Sequence, residues 1–187
     1  QPDGVTGTSV RNLGDDPEKY RWFFLKRNNK EANNFEPIMN YAKLFSRSGS
    51  DFEREVENVV NVDAWFRGMA YAVLSGAGDN AGAGSQHNGM YYAFPDGRVM
   101  FLPHDMDFAF SSSRSITANP ECSKLTQNEI RRRIYYGHLQ DIITTTYNRS
   151  YMSKWTNHLK ELDPSQNWSG HLSYVNSRSS NVLSQIR

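Results

Sequence analysis

Four side chains in the middle of the chain carry the groups that phosphoryl transfer needs: Asp79, Asn88, Asp105 and Asp107. Asp79 stands in a glycine-rich stretch that runs from Gly76 to Gly84, and Asn88 follows in the same loop. Asp105 and Asp107 flank Met106 just after an apolar, β-favouring run. In a phosphoryl transfer one carboxylate orients the attacking hydroxyl and accepts its proton. A second carboxylate and an amide oxygen hold a divalent cation against the phosphates. Oxygen donors suit a hard cation such as Mg²⁺ or Mn²⁺, and a single cysteine, Cys122, offers no soft-ligand set.

The elements that must position these groups read as follows. Residues 1–14 are glycine-rich and polar, an entry loop. Asp16 before Pro17 predicts a helix start, with Tyr20, Phe23, Phe24 and Arg27 at helical spacing, so Lys26 is expected on that helix. A polar break at 28–34 precedes a second stripe of Phe35, Ile38, Tyr41, Leu44 and Phe45. Ser50 and Glu53 have capping-box spacing ahead of Val56 and Val59. Asn61 is expected to cap a largely uncharged, buried helix that stops at Gly76. Residues 76–89 form a long loop without periodicity, a length that suits function. Asp96-Gly97 between Met90–Phe94 and Arg98–Leu102 is a strong hairpin signal. A serine-rich loop at 111–124 comes next, then a second capping-box pair, Thr126 and Glu129, and three helical stripes. The fold class expected is α+β, mostly helical, with a central β-hairpin that turns the Asp105 pair back towards the Asp79 loop.

Bulk composition narrows the function classes. The 187 residues are 37% hydrophobic, with 21 basic and 20 acidic side chains, which suits one globular domain over 1–187. A balanced charge gives no broad footprint for nucleic acid or an anionic membrane. No apolar run approaches the roughly 20 residues of a membrane span, and the chain opens without a signal-peptide pattern. The lone Cys122 cannot form an internal disulfide. Asn148-Arg-Ser and Asn167-Trp-Ser match the glycosylation pattern.

The order catalytic Asp, Asn, hairpin, metal Asp is that of protein kinases, and Asp79, Asn88, hairpin, Asp105 repeat it. Gly-Asp79-Asn80, Asn88-Gly-Met-Tyr-Tyr and Phe-Leu-Pro103-His104-Asp105-Met-Asp107-Phe-Ala-Phe together resemble the CotH family of atypical, spore-coat-type kinases. Asn61-Val-Asp63-Ala-Trp65-Phe66 is similar to a helix start of that family. The resemblance spans roughly 50–187 and is most specific over 76–110. It implies a protein-kinase-like large lobe and transfer of phosphate from ATP, with Mg²⁺ or Mn²⁺, to Ser/Thr of a protein substrate in a secreted or cell-surface setting. By position Asp79 would be the catalytic Asp. Asn88 and Asp105 would bind the metal and nucleotide, with Asp107 a second metal candidate. Three departures stand out. His104 replaces the usual Trp, Asp79 and Asn88 are farther apart than in ordinary kinases, and the upstream residues read as helical, without the glycine loop, strand and Lys of a small lobe.

Plainer readings run beside each of these. Asp79 and Asn88 would also serve as turn residues in a glycine-rich loop. His87 and His104 read as hydrogen-bonded structural groups rather than ligands. Arg131-Arg132-Arg133 reads as a solvated helix face, and the Trp and Tyr stripes as core. Two other functions compete. Asp105-Met-Asp107 has the Asp-x-Asp form of a metal-dependent glycosyltransferase, though such enzymes need alternating strands and helices upstream. The same fold could also act as a non-catalytic binding module.

Overall fold

The computed structural model describes residues 10–85 and 87–187. Helix α1 (Pro17–Phe23) starts where the sequence places it: Asp16 accepts the Glu18 N–H at 3.0 Å, and Pro17 occupies the first turn. It stops earlier than expected. Phe24 turns extended, and its ring packs 6.3 Å from Tyr20 and 6.4 Å from Tyr91, so aromatic packing ends the helix. Lys26 therefore lies outside any helix, with its Nζ 5.7 Å from the centre of the Phe35 ring.

Helices α2 (Glu36–Ser46) and α3 (Gly49–Val59) follow the apolar stripes, burying Tyr41 and Leu44, and Phe52 and Val56. The capping box at Ser50 does not form. α3 begins two residues earlier, after Ser48, and Glu53 bonds across to Arg131 instead. Helix α4 (Val62–Ser75) is the centre of the molecule. Asn61 caps it, and only Asp63, Arg67 and Tyr71 make an exposed stripe. Trp65 is fully packed, and its Nε1 donates to the Tyr41 hydroxyl at 2.9 Å. Phe66 stacks on Tyr135 at 5.0 Å.

Strands β1 (Gly89–Ala93) and β2 (Val99–Pro103) pair antiparallel, with Gly89 opposite Pro103 and Tyr91 opposite Phe101. Gly97, at φ +84°, supplies the left-handed residue of the turn. Side chains alternate along each strand. Val99 and Phe101 face the core, where Tyr91 joins them, and β2 lies against α4. Val60 bridges Val99 in parallel, and Asn61 N–H donates to the Val99 carbonyl, which ties the start of α4 to the sheet.

The serine-rich stretch expected as loop to 124 ends sooner, in a short helix α5 (Pro120–Leu125) begun by Asn119 and Pro120. The second capping box also fails. Thr126 closes α5 by donating to the Cys122 carbonyl at 2.8 Å, and Asn128 is the residue that caps α6 (Glu129–Thr145). Helices α7 (Arg149–Leu162) and α8 (Trp168–Gln185) begin at Asn148 and Asn167, the two sequons, whose side chains accept backbone N–H groups as caps.

The arginine run divides. Arg132 and Arg133 are exposed, but Arg131 is buried because it bonds the Leu125 carbonyl at 3.1 Å and Glu53 at 2.6 Å. The aromatic stripes divide as well. Trp65, Tyr20, Tyr41 and Tyr135 are core, whereas Trp22, Tyr71, Tyr151 and Trp155 are exposed. Helical spacing marks an apolar stripe but not whether another element covers it. The result is a mostly helical α+β chain, with eight α-helices and one two-stranded sheet among the described residues.

Candidate functional site

The site lies where the end of α4 and the exit of β2 meet. Gly76, at φ +64°, ends α4 in the left-handed conformation that glycine adopts freely. The chain then passes Asp79 and enters a 3-10 turn at Ala81–Ala83, packed on α4. A Cβ on Gly82 would fall 2.6 Å from the Ala72 backbone, so only glycine lets the turn approach this closely. Asn80 is fully buried. Its Oδ1 accepts the Gly82 N–H at 2.7 Å, and its Nδ2 donates to Met106 Sδ at 3.0 Å.

Asp79 and Asn88 are brought together. Asn88 Nδ2 donates to Asp79 Oδ2 at 3.0 Å. The other oxygen, Asp79 Oδ1, is buried and has no hydrogen-bond partner. A buried carboxylate oxygen left unsatisfied costs roughly 1–3 kcal/mol, and such an atom calls for a functional explanation. With the NH₂ of Asn88 turned to Asp79, the amide oxygen is the end able to meet a cation.

Asp105 is linked to this pair through the backbone. The His104 N–H donates to the Asn88 carbonyl at 3.0 Å, which extends the hairpin pairing by one step. Asp105 thus sits between two ties, His104 to Asn88 and Met106 to Asn80. Asn88 and Asp105 both have left-handed backbones, at φ 50° and 53°, which Asn and Asp tolerate better than other side chains. Asp105 and Asp107 are exposed, as are His87 and His104. Among the described residues no group of three or more His, Cys, Asp or Glu is gathered. A cation here would rest on Asp105 or Asp107 and the Asn88 oxygen, with a ligand's phosphates completing its shell.

Sequence reasoning placed Asp79, Asn88 and Asp105 together but missed Asn80 and Met106. A buried Asn directly after the candidate catalytic Asp carries no periodic signal. The packed turn at 81–83 and the contact with Met106 give it a role.

The sequence model of the CotH kinase protein family matches residues 5–165. The chain belongs to this family. The match covers the four named site residues and also α1 to α3, which lie largely before the stretch where the resemblance was legible. It ends before α8. No curated protein gives a match. Within this CotH-family chain, no helix among the described residues is long and apolar enough to cross a membrane.

Proposed function

We infer that the chain is a metal- and ATP-dependent phosphotransferase domain, the large-lobe portion of a kinase-like fold, acting on Ser or Thr hydroxyls of a protein substrate at a secreted or cell surface. The observation that carries this reading is the Asp79–Asn88 bond, with Asp79 Oδ1 left unsatisfied beside it. In this reading Asp79 orients the substrate hydroxyl and accepts its proton. Asn88, with Asp105 and Asp107 as the acidic candidates, would hold Mg²⁺ or Mn²⁺, and the all-oxygen donor set suits either ion. Bound there, the cation would offset the charge of the phosphates.

Two further features support it. The outward face of the hairpin is apolar, formed by Met90 and Tyr92 on β1 and Met100 and Leu102 on β2, with Met90 opposite Leu102 and Tyr92 opposite Met100. Tyr92 and Leu102 are exposed, and this apolar face beside Asp105 would suit a nucleotide base. The described residues before Asp79 hold helices and no strand apart from the single bridge at Val60. That lacks the alternating strands a sugar-nucleotide enzyme needs. It also fits a large lobe whose ATP-pairing Lys lies elsewhere.

The test is thermal unfolding with Mn²⁺ or Mg²⁺ and ATP, for the wild type and for Asp105→Asn and Asp79→Ala. A ligand that binds only the folded state raises its apparent stability. A metal-dependent rise that Asp105→Asn abolishes supports the nucleotide site. Silence in the wild type, repeated on a longer chain that contains the upstream lobe, sinks the reading and leaves a binding module.

A further inference from the structure

Helix α8 begins at Trp168, past the end of the family match at residue 165, yet it contacts the end of α4 and the 110–112 segment, which flank the site in sequence. Arg178 is the anchor. It is 3% exposed, and its guanidinium bonds neutral acceptors: Nε and Nη2 each reach the Val73 carbonyl at 3.1 Å, and Nη1 reaches Asn181 Oδ1 at 3.3 Å. Burying a guanidinium is costly unless its charge is compensated. Here it meets the C-terminal end of α4, where unpaired carbonyls gather partial negative charge.

The neighbouring carbonyls are taken in turn. Tyr147 Oη donates to Leu74 at 2.5 Å, the Phe110 N–H to Ser75 at 2.7 Å, and the Ser112 N–H to Gly76 at 2.8 Å. Asp79 follows Gly76 by three residues, and Phe110 follows Asp107 by three. The 110–112 segment is itself fastened to α8. Tyr174 Oη donates to the Ser112 carbonyl, and the Phe110 ring lies 4.9 Å from His171 and 5.8 Å from Tyr174. Phe110 has φ +62°, unusual for a bulky side chain, and these contacts hold it there. A Cβ on Gly76 would fall 2.6 Å from the Ser112 carbonyl, so the glycine permits the close approach.

We propose that Arg178 is a positioning residue for Asp79, and that α8 is a brace joining the end of α4 to the segment behind Asp105 and Asp107. The catalytic consequence rests on the phosphotransfer reading, whereas the brace does not.

Hydrogen exchange and phosphate transfer test the two parts separately, in Arg178→Lys and in Tyr174→Phe, which removes only a hydroxyl. In Arg178→Lys, amides at 74–80 and 110–112 exchange about tenfold faster while α6 and α7 are unchanged. In Tyr174→Phe the faster exchange is confined to 110–112. The kcat for transfer falls about tenfold in Arg178→Lys, and the KM for Mn²⁺–ATP stays within about twofold. Unchanged exchange in both segments, or an even rise along the whole chain, overturns the brace. Loosened segments with an unaltered kcat overturn the positioning role. If neither this chain nor a longer one that contains the upstream lobe transfers phosphate, the phosphotransfer reading falls, and the exchange pattern alone decides whether α8 braces the loop. If Arg178→Lys does not fold, Tyr174→Phe carries the comparison.

Discussion

Asn80 Nδ2 donates to Met106 Sδ at 3.0 Å, so the residue after Asp79 is tied to the residue after Asp105. The same amide caps the 3-10 turn through its oxygen. Asn80→Ala loses a buried cap and the link together, and is expected to cost about 2 kcal/mol in urea unfolding. Met106→Leu keeps the volume and loses only the sulfur acceptor, and should cost less than about 1.5 kcal/mol. Equal losses in the two variants would show that the cap contributes little and that the loops depend on the sulfur contact.

Asp79→Asn separates stability from function at one atom. Asp and Asn have the same shape, and either leaves a polar atom at the position where Oδ1 is buried without a partner. Unfolding free energy should therefore shift by less than about 1 kcal/mol. The metal- and ATP-dependent rise in melting temperature is largely kept, because the cation is assigned to Asn88, Asp105 and Asp107, whereas any transfer activity drops by about a hundredfold or more. A variant that is much less stable would mean that the bond from Asn88 depends on the carboxylate's charge.

The Arg131–Glu53 pair predicts an acid-side pH dependence. Glu53 is held below the ordinary glutamate value of 4.5, chiefly by its hydrogen bond to Arg131. As pH falls the unfolded chain takes up the proton first, so the contribution is complete above about 4.5 and is lost as pH falls through the lower folded value. Glu53 is partly exposed, which limits the pair to about 1 kcal/mol at neutral pH. Glu53→Gln should cost that amount at pH 7 and progressively less as pH falls below about 4.5, giving a flatter stability curve in chemical unfolding on the acid side. A constant cost at every pH would assign the loss to packing.

Two tryptophans at helical spacing should respond very differently. Trp65 is 1% exposed on α4 and bonds Tyr41, whereas Trp155 is 54% exposed on α7. Trp65→Ala is expected to cost about 3–5 kcal/mol and Trp155→Ala less than about 1 kcal/mol, read from denaturant midpoints. Comparable costs would mean that the α7 stripe is covered in solution.

Much of this chain was legible without coordinates. Asp16-Pro17, Asn61 and Gly76 carry their own backbone chemistry, so the starts of α1 and α4 and the end of α4 followed from local residue types. Asp96-Gly97 between apolar runs determined the hairpin for the same reason. The hairpin in turn placed Asp105 near the Asp79 loop, because an antiparallel pair must bring its exit back beside its entry. Tertiary structure decided what depends on residues far apart in sequence. Glu53 abandons a capping role because Arg131, 78 positions away, offers a charged partner. Asp79 acquires an unsatisfied oxygen because Asn88 takes only one side of its carboxylate. Trp155 stays exposed although its spacing matches that of buried helices, since spacing defines a face and only packing covers it.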